Sequence, residues 1–475
     1  MHTQPTAPKP TSGNPQSAAH PRAVLAIVLV SYFMIVLDNS IIFTGLPQIQ
    51  EAMQLTPAAL SWVQDAYTLV FGGLLLLGAR AGDLLCRRRV FMVGLALFGL
   101  ASLLVGTAQS ETWIIAARAF QGVGAAIVAP SSLSLITATF APGRERTRAV
   151  AAYGTTAGVG ASVGLVVGGA LASLLSWRVG FFINVPIAIT MIVLASRFLA
   201  PSRIVRGRFD VLGAITSTIG MGSLVYGIVE GGDNGWSAPG TLIPLGIGVV
   251  VLGVFVLNEW RAAQPIMPLR LFASRKRSGA AATRLLFAGA GIGFFFFTTQ
   301  FLQGVYKWTP LQTGIAFLPM SLLQFGVSLF VARLTRRFGN GWLVAVGIGI
   351  VLAGLIWLAQ ITPDTPYLVG FAGPLALFGI GQGLCFGPLT AAGISGAPAE
   401  DAGAASGLVN TAHQLGSTLG VAALTAAGAG AATLADRVAD AYTGAAVMVG
   451  VALVLTLVFI LPADLAARRA AINLH

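Results

Sequence analysis

The sequence is poor in charge. Charged residues make up only 9% of its 475 residues, while hydrophobic residues make up 56%. An ordinary soluble chain carries about 25% charged residues. So few charges cannot cover the water-exposed surface of a chain this long. The composition therefore excludes a soluble protein and predicts a membrane protein.

Cysteine and histidine are also scarce, at two and four residues. Cys86 lies in a basic loop and Cys385 in an apolar run, so we expect neither a disulfide nor a metal site. The sequence has no phosphate-binding loop, and we expect no cofactor. Residues 160–164 fit the nucleophile pattern of serine hydrolases, but they lie in a glycine-rich helical run, so we expect no enzyme. The energy source is then an ion gradient or the substrate's own gradient.

Long apolar runs dominate the rest of the chain. A helix needs about 20 apolar residues to cross a bilayer. The runs do not alternate as the strands of a barrel would, so the sequence predicts an all-α integral membrane fold. We count fourteen candidate spans, at residues 23–46, 57–79, 90–109, 112–135, 149–172, 179–199, 211–229, 240–259, 279–301, 310–332, 341–360, 367–390, 402–428 and 441–461.

The positive charges indicate the orientation of these spans. Of the 28 lysines and arginines, 24 fall in segments or flanks on the side of the N-terminus. Only Arg178, Lys307 and Arg437 fall on the other side, and Arg118 lies within a span. Cytoplasmic loops are rich in lysine and arginine, so both termini are expected in the cytoplasm. This orientation also accounts for the net charge of +12, and we expect no nucleic-acid partner.

Two basic loops divide the chain into parts. Six spans precede the first loop, two lie between the loops and six follow the second. Two six-helix halves are a common transporter plan, with the substrate bound between them near the midplane. The predicted parts are a disordered cytoplasmic tail (1–22), an N-terminal half (23–200), a linker with two extra transmembrane helices (201–278), a C-terminal half (279–461) and a cytoplasmic tail (462–475).

Four short motifs identify a family. The first basic loop carries Gly78, Asp83, Arg87, Arg88 and Arg89; the other motifs are Leu37–Pro47 in the first span, Arg118–Gly122 in the fourth and Asn184–Pro186 in the sixth. As a set they resemble the major facilitator superfamily and, within it, the fourteen-span drug:proton antiporters of the EmrB/QacA type. The resemblance covers about residues 23–461.

The resemblance implies a fold and a function. The fold would be two six-helix halves plus two extra linking helices. The function would be proton-coupled export of amphiphilic drugs or toxic small molecules across the bacterial inner membrane, driven by the proton gradient. The basic loop would act as a gate that stabilises one access state. In the fifth span Gly160, Gly164, Gly168 and Gly169 fit the antiporter signature, and small residues four apart also serve close helix packing.

Three ionisable residues inside the spans are candidates for proton coupling. Asp38, Asp65 and Arg118 each lie on a polar or small-residue stripe, so we expect them to face a wet cavity. An Asp paired with Arg118 would release its proton and take one up when Arg118 turns away. The alternative is a static buried ion pair that holds the helices in register.

The C-terminal half lacks a deep carboxylate, so its candidate cavity residues are neutral or weakly basic. His413 titrates in a useful range, although a structural histidine is an equal alternative. We expect neutral or monocationic amphiphiles as substrates rather than dications, because burying an unpaired charge is costly. The predicted substrate cavity residues are Gln121, Gln300, Gln303, Gln324, Gln382, Asn410, His413 and Gln414.

Several alternatives remain open. A dedicated exporter of an endogenous antibiotic or metabolite fits the same motifs. A metabolite importer and a non-transporting receptor with the same fold fit less well. Accessory efflux components are compatible with the sequence, which does not specify them. Glu400 and Asp401 are expected to cap a helix or to pair with the arginines of the basic loop.

Overall fold

The structure is a computed structural model that describes residues 20–140, 144–200, 210–262, 265–397 and 402–472. These residues contain helices and no strand. The helices are α1 (Pro21–Met53), α2 (Pro57–Leu84), α3 (Arg87–Gly106), α4 (Glu111–Thr139), α5 (Arg144–Leu174), α6 (Trp177–Phe182), α7 (Asn184–Phe198), α8 (Val211–Asn234), α9 (Pro239–Arg261), α10 (Arg275–Gly304), α11 (Pro310–Ala316), α12 (Leu318–Phe338), α13 (Asn340–Leu358), α14 (Gly373–Ile394), α15 (Ala402–Ala427), α16 (Leu434–Leu455) and α17 (Leu461–Ile472). A 3₁₀ segment, Leu269–Ala273, precedes α10, and π-helical segments, Leu368–Ala372 and Thr456–Ile460, precede α14 and α17.

Eleven helical stretches in the described residues are long and apolar enough to cross a membrane. The three other predicted spans fall on α2, α5 and α15, which have 28, 31 and 26 residues. The prediction of an all-helical membrane fold is confirmed. The count of fourteen spans stays a prediction.

Local sequence signals set several helix boundaries. Thr56 accepts a hydrogen bond from the amide of Ala59 and so caps the start of α2. Thr309 and Gln312 form a reciprocal capping box at the start of α11. Such caps satisfy amide groups that have no partner within the helix. At the end of α12 the chain turns through Gly339, whose φ of 93° suits a residue without a Cβ atom.

The helices pack as two bundles with a hairpin between them. Helices α1 to α7 pack mainly against one another, as do α10 to α17, and the hairpin α8–α9 packs on α2 and α15. Only Thr241, Gly248, Phe255 and Glu259 of α9 are buried. The rest of this apolar helix faces outward, as expected of a surface in contact with hydrocarbon.

The two bundles meet mainly along two helix pairs, α2 with α15 and α5 with α11. The hydroxyls of Thr68 and Thr418 lie 2.7 Å apart in the first contact. The amide of Leu311 donates to the hydroxyl of Ser173 at 2.9 Å in the second. Apolar side chains also meet between the bundles, for example where the ring of Phe43 stacks on that of Phe295.

The C-terminal segment is part of the packed structure. The sequence predicts a cytoplasmic tail at residues 462–475. In the structure α17 continues the last span to Ile472. Its Asp464 pairs with Lys276 at 3.5 Å and accepts from the amide of Gly341. Its Arg468 donates to the carbonyl of Thr335 at 3.0 Å and so caps α12. Residues 1–19 of the predicted N-terminal tail lie outside the described residues.

Candidate functional site

A cavity of about 800 Å³ lies between the two bundles. Helices α1, α2, α4 and α5 form one wall, and α10, α12, α14 and α15 form the other. Arg87 and Thr137 line it near the end of the bundle where α1 begins, so the cavity extends toward that end. Aromatic side chains, including those of Phe43 and Phe295, line its deeper part. The mixed lining suits a molecule with apolar and polar parts.

The opposite end of the bundle is closed. Gln303 donates from Nε2 to the carbonyl of Thr44 at 2.9 Å, which joins α10 to α1. Gly169 of α5 lies directly against the carbonyl of Pro310, so close that a Cβ atom there would clash. These contacts seal one end while the cavity lies toward the other. The structure therefore represents a one-sided access state.

A buried polar network lies behind the N-terminal wall of the cavity. The guanidinium of Arg118 donates to Asp38 at 2.9 Å. The same carboxylate accepts from the amides of Gln121 at 2.8 Å and Asn184 at 2.7 Å. Asp38 and Arg118 are both 0% exposed. Three donors on a single carboxylate stabilise its ionised form, and the pair is electrically neutral as a whole.

The network extends to α2 and α3. Gln121 also donates to the hydroxyl of Ser102 at 2.8 Å, and Nε of Arg118 donates to the carbonyl of Val63 at 3.0 Å. The guanidinium lies over the ring of Tyr67, 4.4 Å from its centroid. Tyr67 also lines the cavity. The aromatic ring therefore stands between the buried ion pair and the open space.

The expectation that Asp38, Asp65 and Arg118 face a wet cavity is corrected in this access state. All three are 0% exposed. Asn39, which follows Asp38, and Tyr67, which packs on Arg118, line the cavity instead. The polar stripes identify the side of each helix that avoids lipid. The Asp38 and Arg118 sides pack against other helices of the same bundle, whereas the Thr68 side of α2 packs against α15 of the other bundle.

Asp65 differs from Asp38 in having no counter-charge. Neither of its carboxylate oxygens has a hydrogen-bond partner among the residues that the structure describes. A buried ionised carboxylate without a partner is costly, whereas a protonated one needs no counter-charge. The structure brings Asp38 and Arg118 together and leaves Asp65 separate from that pair.

Five of the eight predicted cavity residues line the cavity: Gln324, Gln382, Asn410, His413 and Gln414. Three lie elsewhere in the described structure. Gln121 belongs to the Asp38 network. Gln300 donates weakly to Phe296 in its own helix at 3.5 Å, and Gln303 holds the closed end. Both lie beyond Phe295 along α10, past the deep end of the cavity.

The four glycines of the antiporter signature lie at two interfaces. A Cβ atom on Gly160, Gly164 or Gly168 would approach α1 to 3.1, 2.5 and 2.7 Å respectively. Their absent side chains allow α5 to lie close against α1. Gly169 instead faces α11 in the other half. The glycine run therefore affects both the position of α1 and the closure between the bundles.

The predicted gating loop is described only in part. A Cβ atom on Gly78 would clash with the carbonyl of Ala126. Arg88 donates to the carbonyl of Ser196 at 2.5 Å, Arg87 lines the cavity mouth and Arg89 is exposed. The side chain of Asp83 lies outside the described part of the chain, as do Glu400 and Asp401. The gating role of this loop therefore remains a prediction.

Four buried residues of this region are not predicted from the sequence as site residues: Tyr67, Ser102, Asn184 and Arg284. Asn184 was noted only as part of a motif, and Ser102 and Tyr67 were not singled out. A lone hydroxyl in the apolar run of α3 was the available signal for Ser102. Arg284 was counted among the cytoplasmic charges that set the orientation, although it falls within a predicted span. The structure buries it in α10, with 3% exposure.

Comparisons with known proteins agree with this architecture. The sequence profile of the Major Facilitator Superfamily matches residues 28–421. The chain is 39% identical to a cephamycin export protein of Amycolatopsis lactamdurans, over 94% of each chain. It is 38% identical to a puromycin resistance protein of Streptomyces alboniger, over 87% of this chain and 83% of that protein. A crystal structure of a peptide transporter with bound sulfate shares the fold, with a TM-score of 0.69 and 13% identity over 95% of each chain.

Proposed function

Because the chain belongs to the Major Facilitator Superfamily, we propose that it is a proton-coupled exporter of amphiphilic drugs or toxic small molecules. One observation carries this proposal: a neutral, fully buried Asp38–Arg118 pair lies directly behind a large cavity that extends toward one end of the bundle. The names of two relatives, which refer to cephamycin export and puromycin resistance, support export over import.

The proposal includes a topology. Helices α2, α5 and α15 cross the membrane together with the eleven apolar stretches, which gives fourteen spans. The protein lies in the bacterial inner membrane, and both termini lie in the cytoplasm because the basic loops are on their side. The cavity then extends toward the cytoplasm, where an exporter collects its substrate. The domain boundaries are those proposed from the sequence.

The geometry of the network supports the proposed proton coupling. A proton on Asp38 removes the charge that holds Arg118 at 2.9 Å. Arg118 also packs on Tyr67, whose ring lines the cavity. A substrate that displaces Tyr67 therefore disturbs the guanidinium, and protonation of Asp38 disturbs Tyr67. Asp65 provides a second buried carboxyl group that can hold a proton without a counter-charge.

A gradient experiment tests this function. We expect everted membrane vesicles that contain the protein to accumulate a fluorescent amphiphile when respiration acidifies their lumen. Nigericin, which collapses the pH gradient, should stop accumulation, because the lumenal protons drive the exchange. Vesicles without the protein are the control. Accumulation that needs ATP or persists after nigericin would contradict proton coupling, and accumulation in right-side-out vesicles alone would indicate an importer.

A second expectation concerns substrate charge. The described cavity wall carries no aspartate or glutamate, so a second positive charge on a substrate would have no counter-charge there. We expect an efflux-deficient host that expresses the protein to gain more resistance to neutral and monocationic amphiphiles than to matched bis-cations. Growth inhibition by a series that differs only in charge measures this. Resistance to the bis-cations alone would show that an acidic group reaches the cavity.

A dedicated exporter of an endogenous antibiotic or metabolite is the second candidate. The relative named for cephamycin export favours it. The same host assay separates the two roles: a multidrug exporter protects against several unrelated scaffolds, whereas a dedicated exporter protects against one. Accessory efflux components remain proposed partners in either case.

A further inference from the structure

Arg284 is a buried charge that the proposed mechanism does not use. Its side chain is 3% exposed, inside a helix of the C-terminal bundle. No described aspartate or glutamate pairs with it. Among the described residues its Nε has no hydrogen-bond partner, and its one hydrogen bond is long, 3.4 Å from Nη1 to the carbonyl of Phe386. An isolated buried charge is costly, since desolvation is not balanced by a partner.

The two other buried arginines among the described residues show how a structural arginine is satisfied. Arg118 has the carboxylate of Asp38. Arg277, about two turns before Arg284 in α10, donates from Nε to the carbonyl of Leu271 at 3.0 Å and ties the linker to α10. Arg284 has neither a counter-charge nor a short hydrogen bond. Helix packing alone therefore does not account for it.

Helical spacing places Arg284 on the cavity side of α10. Ala288, Gly291 and Phe295 line the cavity, and they follow Arg284 at intervals of four, seven and eleven residues. Arg284 thus extends this stripe by one turn toward the open end. The side chain is covered because the ring of Phe386 lies over the guanidinium, 3.8 Å from its centroid.

Phe386 is a movable cover. It lines the cavity and is 39% exposed, so its ring has open space on the side away from Arg284. A cation–π contact of this kind offsets only part of the cost of burying a charge. His413 packs edge-on against the same ring, and its Nδ1 also has no partner. A ligand that displaces Phe386 would therefore contact the guanidinium of Arg284, which has no counter-charge among the described residues. The imidazole of His413 lies close to the same site.

We propose that Arg284, covered by Phe386, is an anion subsite of the cavity that binds the single carboxylate or sulfonate group of an amphiphilic substrate. The planar guanidinium matches such groups through paired hydrogen bonds. The apolar part of the substrate then lies toward Phe295, along the same stripe. The inference rests on the proposed export function and extends the substrate class beyond neutral and monocationic compounds.

The test uses three fluorescent probes that share one scaffold: dansylglycine is an anion, its methyl ester is neutral and dansylcadaverine is a cation. Binding is measured on the purified full chain in phosphatidylcholine nanodiscs. We expect Arg284→Gln to weaken dansylglycine binding at least about tenfold, which corresponds to the loss of a charge-assisted contact. Binding of the ester should change less than about twofold, because the ester has no charge to form a charge-assisted hydrogen bond with the guanidinium. Arg284→Lys should retain part of the preference for the anion, and Arg333→Gln, at an exposed arginine, is the matched control.

A stability measurement separates a binding role from a packing role. Removal of an uncompensated buried charge should raise the melting temperature of ligand-free Arg284→Gln, whereas loss of a structural arginine should lower it. Equal dansylglycine affinity in the wild type and Arg284→Gln, or a lower melting temperature for the variant, would overturn the proposal. Loss of dansylglycine binding in discs with phosphatidylglycerol would assign the site to a lipid headgroup and overturn it as well. Anion binding without transport in the vesicle assay would instead contradict the export function alone.

Discussion

Asp38→Asn is expected to reduce gradient-driven efflux to the background of vesicles without the protein. The carboxylate is the only charge that opposes Arg118 among the described residues, and it joins three helices through Gln121 and Asn184. An amide cannot gain or lose a proton in this exchange. The measurement is substrate accumulation in everted vesicles, normalised to the amount of protein inserted.

The same substitution leaves Arg118 buried without a partner. Breaking a buried pair in this way costs about 3–5 kcal/mol of stability, so a loss of activity alone is ambiguous. The double variant Asp38→Asn with Arg118→Gln removes both charges and should regain most of the thermal stability without regaining efflux. Asp364→Asn, at an exposed loop residue, is the matched control. Full pH-driven efflux by the double variant would remove Asp38 from the coupling site.

Gly169→Ala is expected to hold the closed end of the bundle partly open. The new Cβ atom would clash with the carbonyl of Pro310 and approach the Cα of Leu311 to 3.0 Å, so α5 and α11 must move apart. Overpacking of this kind costs about 1–3 kcal/mol, which shifts the closing equilibrium about fivefold or more. The variant should therefore export more slowly while it remains folded.

Accessibility from the closed end measures this shift. The labelling site is introduced by Ser173→Cys in a protein whose two native cysteines have been replaced. The hydroxyl of Ser173 accepts a hydrogen bond from the amide of Leu311 at 2.9 Å, so this position reports on the closed end. A membrane-impermeant thiol reagent should react several times faster when Gly169→Ala is present. Gly349→Ala is the matched control because a Cβ atom there meets nothing within 4 Å. Equal labelling rates in the presence and absence of Gly169→Ala would show that α5 and α11 do not control this end.

The sequence predicted the fold class and the family because both depend on features that are local in the chain. Scarce charge, long apolar runs and basic loops indicate spans and their orientation without any knowledge of packing. The pairing of Asp38 with Arg118 could also be predicted, because a charge inside a span is rare and needs a partner. The motif residues around it made the pairing specific.

The direction in which these groups face was not predictable in the same way. A polar stripe on a helix shows which side avoids lipid, but it does not show whether a cavity or another helix covers that side. For this reason the sequence predicts Asp38 and Asp65 in the cavity, whereas the structure buries both of them completely. The depth of Gln300 and Gln303 relative to the cavity depends on where α11 closes over α10. The local sequence pattern of either helix does not predict that position.

Arg284 illustrates a different difficulty. A charge near the end of a predicted span can reach the interface or point into the protein, and the orientation rule counts both as cytoplasmic. The ring of Phe386, about a hundred residues further along the chain, decides the outcome. Such pairings depend on tertiary structure, so the composition of either helix alone does not reveal them.

Substrate-driven proton movement tests the central claim most directly. The purified chain is reconstituted into liposomes that contain a pH-sensitive dye, and an exported amphiphile is added outside. Antiport moves the substrate inward and protons outward, so the lumen should become alkaline with the wild type and should not change with Asp38→Asn. Acidification of the lumen, or substrate entry without any change in pH, would contradict proton-coupled exchange.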